Sequence, residues 1–408
     1  MRKTLFSRNF ILLMAASTLG AIGGIAGSYA LSFMVFDETG STLATGVVAS
    51  IQILPHFMIP VLIAPLMDRL PRKPFLVYGD LLGGILYGLA GLYLRHYSFS
   101  YVGYLAFSLV INSVNAFDSL AFNCIFPKTI PEGFEDKGYT VSSMLYPVLN
   151  VLMMPVAAIL MDSIGVGNIL LMQSILSFAA SITENAIIID ETNRFDVKKS
   201  GLSLWWKDFK DGWTYLKGER GLCNIFAYDA IANGSGTGFG PILVAFFRTA
   251  PGYSATMYAF FSAAEFIGRS IGGVVRYTRE MKPEKRGKFV YFVQQFYNFM
   301  DMILLWLPYP LMLVNRGICG FLGINSATVR ASSVHQYLPD EYRARVNAFT
   351  SAWIYIFGSL ASIIFGAMGE LLDYRTTMTG ISFICIFLCW FTVGRNHQYI
   401  QKIYLNEK

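Results

Sequence analysis

Asp68-Arg69-Leu70-Pro71-Arg72-Lys73 is a tight, mainly basic turn set between two apolar runs, at about 43–66 and 74–94. A hydrocarbon core about 30 Å thick needs roughly 20 apolar residues per helix, so each run is long enough to cross a bilayer. The same rhythm continues outward. Further runs fall at about 9–35, 101–124, 140–161 and 166–189, and a second set at about 222–247, 254–275, 288–307, 310–333, 346–371 and 376–393. In lipid only helices satisfy their own backbone segment by segment. The expected fold class is therefore an all-α membrane protein of twelve transmembrane helices.

Composition agrees. Of 408 residues, 54% are hydrophobic, 15% aromatic and only 14% charged, where soluble domains carry about a quarter charged. The net charge of +6 is not a nucleic-acid footprint, because the basic residues sit in alternating short loops. With the N-terminus inside, cytoplasmic segments hold 26 of the 32 Lys and Arg, among them Arg2, Lys3, Arg8, Arg276, Arg279, Lys282, Lys285, Arg286 and Lys288. Outer loops hold Arg95, Arg248 and Arg375, while Arg269, Arg316 and Arg330 lie within spans. That bias places both termini in the cytoplasm of a cell inner (plasma) membrane protein. Met1-Arg2-Lys3 and Ser28-x-Ala30 resemble parts of a signal peptide. The stretch Asn9–Val35 is too long for one and reads as an uncleaved first span.

Catalytic and metal signatures are missing from the sequence. Cys124, Cys223, Cys319, Cys385 and Cys389 form no C-x-x-C pair and read as packing residues. His56, His96, His335 and His397 are scattered, and neither G-x-S-x-G nor H-E-x-x-H occurs. No enzyme activity, cofactor or metal is expected; a membrane-embedded enzyme or sensor is the remote alternative.

The chain also repeats. Phe126-Pro127-Lys128-Thr129-Ile130-Pro131-Glu132 resembles Val334-His335-Gln336-Tyr337-Leu338-Pro339-Asp340, an offset of 208 residues. Likewise Ala158–Asp162 ends the fifth span much as Met368–Asp373 ends the eleventh. The expected organisation is a six-helix bundle at 1–189, a linker at 190–221, a second bundle at 222–394 and a cytoplasmic tail at 395–408. In the linker, Trp205, Trp206, Phe209, Trp213 and Leu216 recur at helical spacing with charges between them. That pattern fits either an amphipathic helix on the inner leaflet or one packed under the two bundles.

On these residues the chain resembles the major facilitator superfamily. Its G-x-L-a-D-R-x-G-R-R/K loop aligns with Ala64, Leu66, Asp68, Arg69, Arg72 and Lys73, with Pro65 beside the first glycine site and Pro71 at the second. The string Asp208–Leu216 is similar to the "dl-x-eG-x-x-yl" stretch of the drug and siderophore exporter branch, which includes macrolide and enterobactin exporters. The resemblance implies two pseudo-symmetric six-helix bundles. It also implies a monomeric secondary transporter working by alternating access, an exporter of a small amphipathic molecule with protons as a candidate coupling ion. Uptake or facilitated diffusion of a metabolite is the alternative. Asp68, Arg69, Arg72 and Lys73 would form a cytoplasmic gate, an ion pair made in one state and lost in the other; a merely topogenic loop is the other reading.

Ionisable residues inside spans cost roughly 2.5–3.5 kcal/mol each near the bilayer centre, so each needs a partner, water or a function. By resemblance, spans 1, 4, 7 and 10 line the cavity, which assigns Asn112, Asn115, Asp118, Asp229, Arg316 and Asn325 to substrate. Asn112, Asn115 and Asp118 form one polar stripe, facing either the cavity or a neighbouring helix. Coupling candidates are Asp80, His56, Glu265, Arg269 and Asp301. Glu265 and Arg269, at i,i+4, can neutralise each other as a structural or a switching pair. Departures from the family bear on coupling: the core of the fourth span lacks an arginine, and the fifth keeps only Pro155 of a G-x-x-x-G-P motif. Gly268-Arg269-Ser270-Ile271-Gly272-Gly273 is a second-half counterpart of the loop without its aspartate. Gly234–Pro241, with four glycines and a proline, is expected to loosen or break the seventh span. The excess of acidic groups within spans favours cationic or neutral cargo.

Overall fold

Ser7 starts the first helix, its hydroxyl accepting from the amide of Phe10 at 3.2 Å. Gly40 ends that helix in the left-handed region (φ 62°), donating its N–H to the carbonyl of Phe36. Between them α1 runs over Arg8–Thr39. The structure, a computed structural model, describes residues 5–67, 71–189, 202–278 and 281–406. Among the described residues it is built of thirteen α-helices. After α1 come α2 (Thr42–Met67), α3 (Lys73–His96), α4 (Tyr101–Thr129), α5 (Glu135–Asn185), α6 (Leu202–Gly218) and α7 (Arg220–Thr249). They are followed by α8 (Ala255–Thr278), α9 (Pro283–Ile303), α10 (Tyr309–Tyr337), α11 (Asp340–Leu371), α12 (Tyr374–Cys389) and α13 (His397–Leu405).

The fifth and sixth apolar runs fall on the single long element α5. Gly165 interrupts it with φ 77° and ψ 164°, a conformation open to glycine alone. Among the described residues eight helices are long and apolar enough to cross a membrane: α1, the first 18 residues of α2, α3, α4, most of α5, α7, part of α11, and α12 with the turn after it. α8, α9 and α10 fall short. These three helices carry Glu265, Arg269, Asp301, Arg316 and Arg330.

The chain divides into two units, residues up to Gly40 with Ile51–Leu202, and Ser41–Ser50 with Ser203 onward. In the first, α1 and α3 pack along α5, and α3 on α4. One of its clusters joins Phe10 and Leu13 to Leu76, Ala121, Ile125 and Ile187. In the second, α7 packs along α11, α8 along α10, and α12 on α9. The opening of α2 belongs to this unit, with Thr42 Oγ1 donating to the carbonyl of Gly366 at 2.7 Å.

Two apolar clusters build the second unit. One gathers Leu222, Ile225, Tyr228, Val290, Val329, Val334 and Ile403. The other gathers Phe239, Ile242, Phe247, Phe261, Leu304, Met312 and Ile381. Along α7, α9 and α10 the residues between these clusters include Asp229, Gln294, Asn298, Asp301, Arg316 and Ser326. These polar groups thus form a layer with an apolar cluster on either side of it.

The sequence repeat has a structural counterpart. α4 ends at Thr129 and α10 at Tyr337, 208 residues apart. Each is followed by an aliphatic residue before proline in nearly the same extended backbone, Ile130 at φ −82°, ψ 125° and Leu338 at φ −69°, ψ 127°.

One element differs from the sequence expectation, and two others take forms that it left open. α7 is continuous through Gly234–Pro241. Gly234 and Gly238 sit against α11, where an added Cβ would meet the Phe357 carbonyl and the Phe365 ring, so close packing supports the helix that glycine would otherwise weaken. The linker forms α6, whose described side chains begin at Lys210. Trp213 stacks on Phe349 at 5.0 Å, Tyr215 on Tyr342 at 4.4 Å, and Leu216 is fully buried, so this end of α6 is docked on the second unit. The tail forms α13, which folds back on that unit and buries Ile400, Ile403 and Tyr404.

Candidate functional site

Glycines bring the site together. A Cβ on Gly268 would meet the carbonyl of Gly317, one on Gly272 the carbonyl of Phe321, and one on Gly320 the carbonyl of Glu265. Side chains this small let the α8 and α10 backbones touch. Glu265 and Arg269 of α8 are thereby placed beside Arg316 of α10. The short link from α9 to α10, a 3₁₀ turn at Leu304–Trp306, sets Asp301 opposite Arg316.

The result is a chain of charges around a cavity of about 540 Å³ in the second unit. Arg316, 6% exposed at its side chain, is ion-paired with Asp301 and also donates from Nε to Asn315 Oδ1 at 3.3 Å. Its guanidinium lies over the rings of Tyr297 (5.4 Å) and Phe261 (5.6 Å). Glu265 Oε2 stands 3.9 Å from Arg316 Nη1, while its Oε1 accepts from Arg269 Nη2 at 2.8 Å, from Arg269 Nε at 3.2 Å and from the Tyr297 hydroxyl at 3.3 Å. At the other edge Arg330 Nε is 2.9 Å from Asp229 Oδ1, an ion pair without hydrogen-bond alignment. Gly236 and Gly240 of α7 line the same space and meet no atom within 4 Å of a notional Cβ.

The first unit holds a second polar layer. Asp118 of α4 lies against α3 at Gly79, where a Cβ would be 3.5 Å from its Oδ1. Asp80, Asp118 and Glu184 are close enough for their charges to act on one another. Asp118 Oδ1 and Glu184 Oε2 are buried with no hydrogen-bond partner among the described residues. Further along, Tyr87 lies near Asn115 and Gln173, and His56 near Asn112.

The sequence candidates therefore separate into groups. Glu265, Arg269, Asp301 and Arg316 converge on the cavity, and Asp229 reaches its edge through Arg330. Asn325 lies on the α8–α10 seam, where its amide donates to the carbonyls of Gly272 (3.1 Å) and Phe321 (2.8 Å). Asn112, Asn115, Asp118, Asp80 and His56 belong to the polar layer of the first unit. Of the loop residues, Lys73 Nζ donates to the carbonyl of Asn185 at 2.7 Å at the end of α5, and Arg72 precedes α3. Asp68, Arg69 and Arg279 lie outside the described residues.

Glu184, Tyr297 and Arg330 were not singled out for roles from sequence. Glu184 and Arg330 fall inside apolar runs, where an ionisable residue is itself a signal. Tyr297 carries no such mark, being one of 23 tyrosines.

A family profile described as Major Facilitator Superfamily matches residues 7–308. No curated protein sequence matches the chain. Similar solved structures include the nucleoside transporter NupG, at 11% identity, TM-score 0.73, covering 94% of this chain and 98% of that one. A bacterial homolog of the human lysosomal transporter Spinster, inward-facing and unoccupied, is 13% identical with TM-score 0.70, covering 100% and 98%. A POT family transporter in complex with 5-aminolevulinic acid is 9% identical with TM-score 0.73, covering 98% of both chains.

Proposed function

This chain belongs to the major facilitator superfamily, and from that premise we propose a monomeric secondary transporter that carries a small molecule through alternating access. Membership makes it a multi-pass membrane transporter rather than an enzyme. The carrying observation is the 540 Å³ cavity of the second unit, ringed by ion pairs on helices otherwise set in an apolar shell. Buried charges are expensive in a membrane and persist where they serve a ligand or a moving ion.

The reading includes twelve spans in two six-helix bundles, with α5 supplying two of them and both termini cytoplasmic in the inner membrane. Export of a small amphipathic molecule, as in the drug and siderophore branch, is supported by the loop ending in Arg72-Lys73 and the string Asp208–Leu216. Asp68, Arg69, Arg72 and Lys73 act as the cytoplasmic gate. Asp80, Asp118 and Glu184 are the proton-coupling candidates, because two of them are buried with unpartnered oxygens. In inverted vesicles, substrate accumulation driven by an imposed proton gradient and abolished by an uncoupler is the expected result. Accumulation indifferent to gradient and potential overturns coupling.

Uptake is the second reading, favoured by the likeness to a nucleoside transporter among the similar structures. Counterflow in proteoliposomes without any gradient distinguishes a facilitative carrier from an obligatory antiporter.

A further inference from the structure

The charges around the cavity cancel. Arg269, Arg316 and Arg330 are matched by Glu265, Asp301 and Asp229, each within an ion pair or next to one. One pair is closed to solvent, Arg316 and Asp301 with side chains 6% and 10% exposed, and Arg330 and Asp229 are mostly so at 20% and 14%. The pair Arg269–Glu265 differs, at 48% and 22%. Arg269 uses Nε and Nη2 on Glu265 Oε1, leaving Nη1 unbonded to that carboxylate, and Glu265 Oε2 has only the 3.9 Å approach of Arg316. An exposed donor and a partly exposed acceptor, both lining the cavity, thus stand side by side on one turn of α8.

We propose that the cavity binds a polar ligand of zero net charge, docked by an edge that presents an acceptor to Arg269 and a donor to Glu265. Such a ligand replaces a bond within the protein by two bonds to itself and leaves the total charge of the layer unchanged. A ligand carrying one net charge adds a charge that no residue there balances, in surroundings where an unpaired charge is strongly disfavoured. Tyr297, partly buried beside the pair, lines the cavity and offers its ring to a planar or aliphatic body. A zwitterion and an uncharged heterocycle share this edge chemistry. The inference rests on the reading of this cavity as the substrate site.

The test is binding of two probe series to the purified full-length chain, by calorimetry or thermal shift. The first series is dialanine, its N-acetyl derivative (anionic) and its methyl ester (cationic); the second is uridine and uridine 5′-monophosphate. The uncharged member of at least one series is expected to bind at least tenfold more tightly than its charged relatives, and which series responds tells zwitterion from heterocycle. Glu265→Gln leaves the layer one positive charge in excess and is expected to shift preference to the anionic member. Arg269→Gln shifts it to the cationic one, and the double variant restores the original order. A charged member binding the unmodified protein best, no probe binding at millimolar concentration, or a preference unmoved by either substitution overturns the proposal. Transport of a charged substrate would refute it and leave the transporter reading intact. Tight binding of an uncharged probe with no movement across liposomes would do the reverse.

Discussion

Arg316 and Arg269 share a carboxylate neighbour, yet their surroundings assign them different work. Arg316 is enclosed between Asp301, Asn315 and two aromatic rings, so removing it leaves Asp301 buried and uncompensated. Arg316→Ala is expected to lower stability by about 3–5 kcal/mol, read as a clear fall in melting temperature in detergent. Arg269 is half-exposed and paired with a residue one turn away; Arg269→Gln should move stability by about 1 kcal/mol or less. Equal losses for the two would refute this division. Glu184 offers a third case. Its Oε2 has no partner among the described residues, so Glu184→Gln removes a titratable group without breaking a bond to it. Retained folding with transport that no longer follows the pH gradient is the expected outcome, measured in vesicles alongside Glu184→Asp. Unchanged gradient dependence would remove Glu184 from the coupling candidates.

At the scale of helices, the α8–α10 seam determines whether the charged layer forms at all. Gly268→Ala drives a Cβ into the Gly317 carbonyl, and Gly320→Ala into that of Glu265. Each is expected to cost about 1–3 kcal/mol as overpacking, whereas Gly273→Ala, whose Cβ meets nothing within 4 Å, should be silent. Melting temperatures of the three variants check this. Gly236→Leu should fill cavity space without touching α11, lowering ligand affinity at little cost in stability. These differences mark the limit of what a sequence discloses. The helices under the apolar runs, the gap between the fifth and sixth of them, where the structure places Gly165, and the i,i+4 pair Glu265–Arg269 were readable, because helical spacing is local; that α8, α9 and α10 fall short as spans was not. The partner of Asp229 was not, since Arg330 lies on another helix. Nor was the placement of Asn325: which way α10 is rotated depends on the glycine contact with α8. The glycines of Gly234–Pro241 read as a weak point because glycine is flexible in isolation; against α11 the same lack of side chains becomes a packing surface.

For the molecule as a whole, the decisive question is whether the two repeated segments face the same side of the membrane. α4 and α10 end 208 residues apart in Ile130-Pro131 and Leu338-Pro339 with matching backbones. A duplication of six spans, an even number, returns the chain to its starting side and so gives both copies the same orientation. The orientation proposed from the distribution of Lys and Arg would put those ends in the cytoplasm. Single cysteines in a background free of the five native ones are the appropriate probe. At Tyr97, after α3, and Gly252, after α7, an impermeant maleimide should label intact cells. At Gly133, after α4, and Asn406, after α13, labelling should require permeabilisation. If Gly133 and Asn406 were reached from opposite sides, an odd number of spans would separate them. The duplication would then have to be abandoned, together with the pairing of one bundle against the other that alternating access requires.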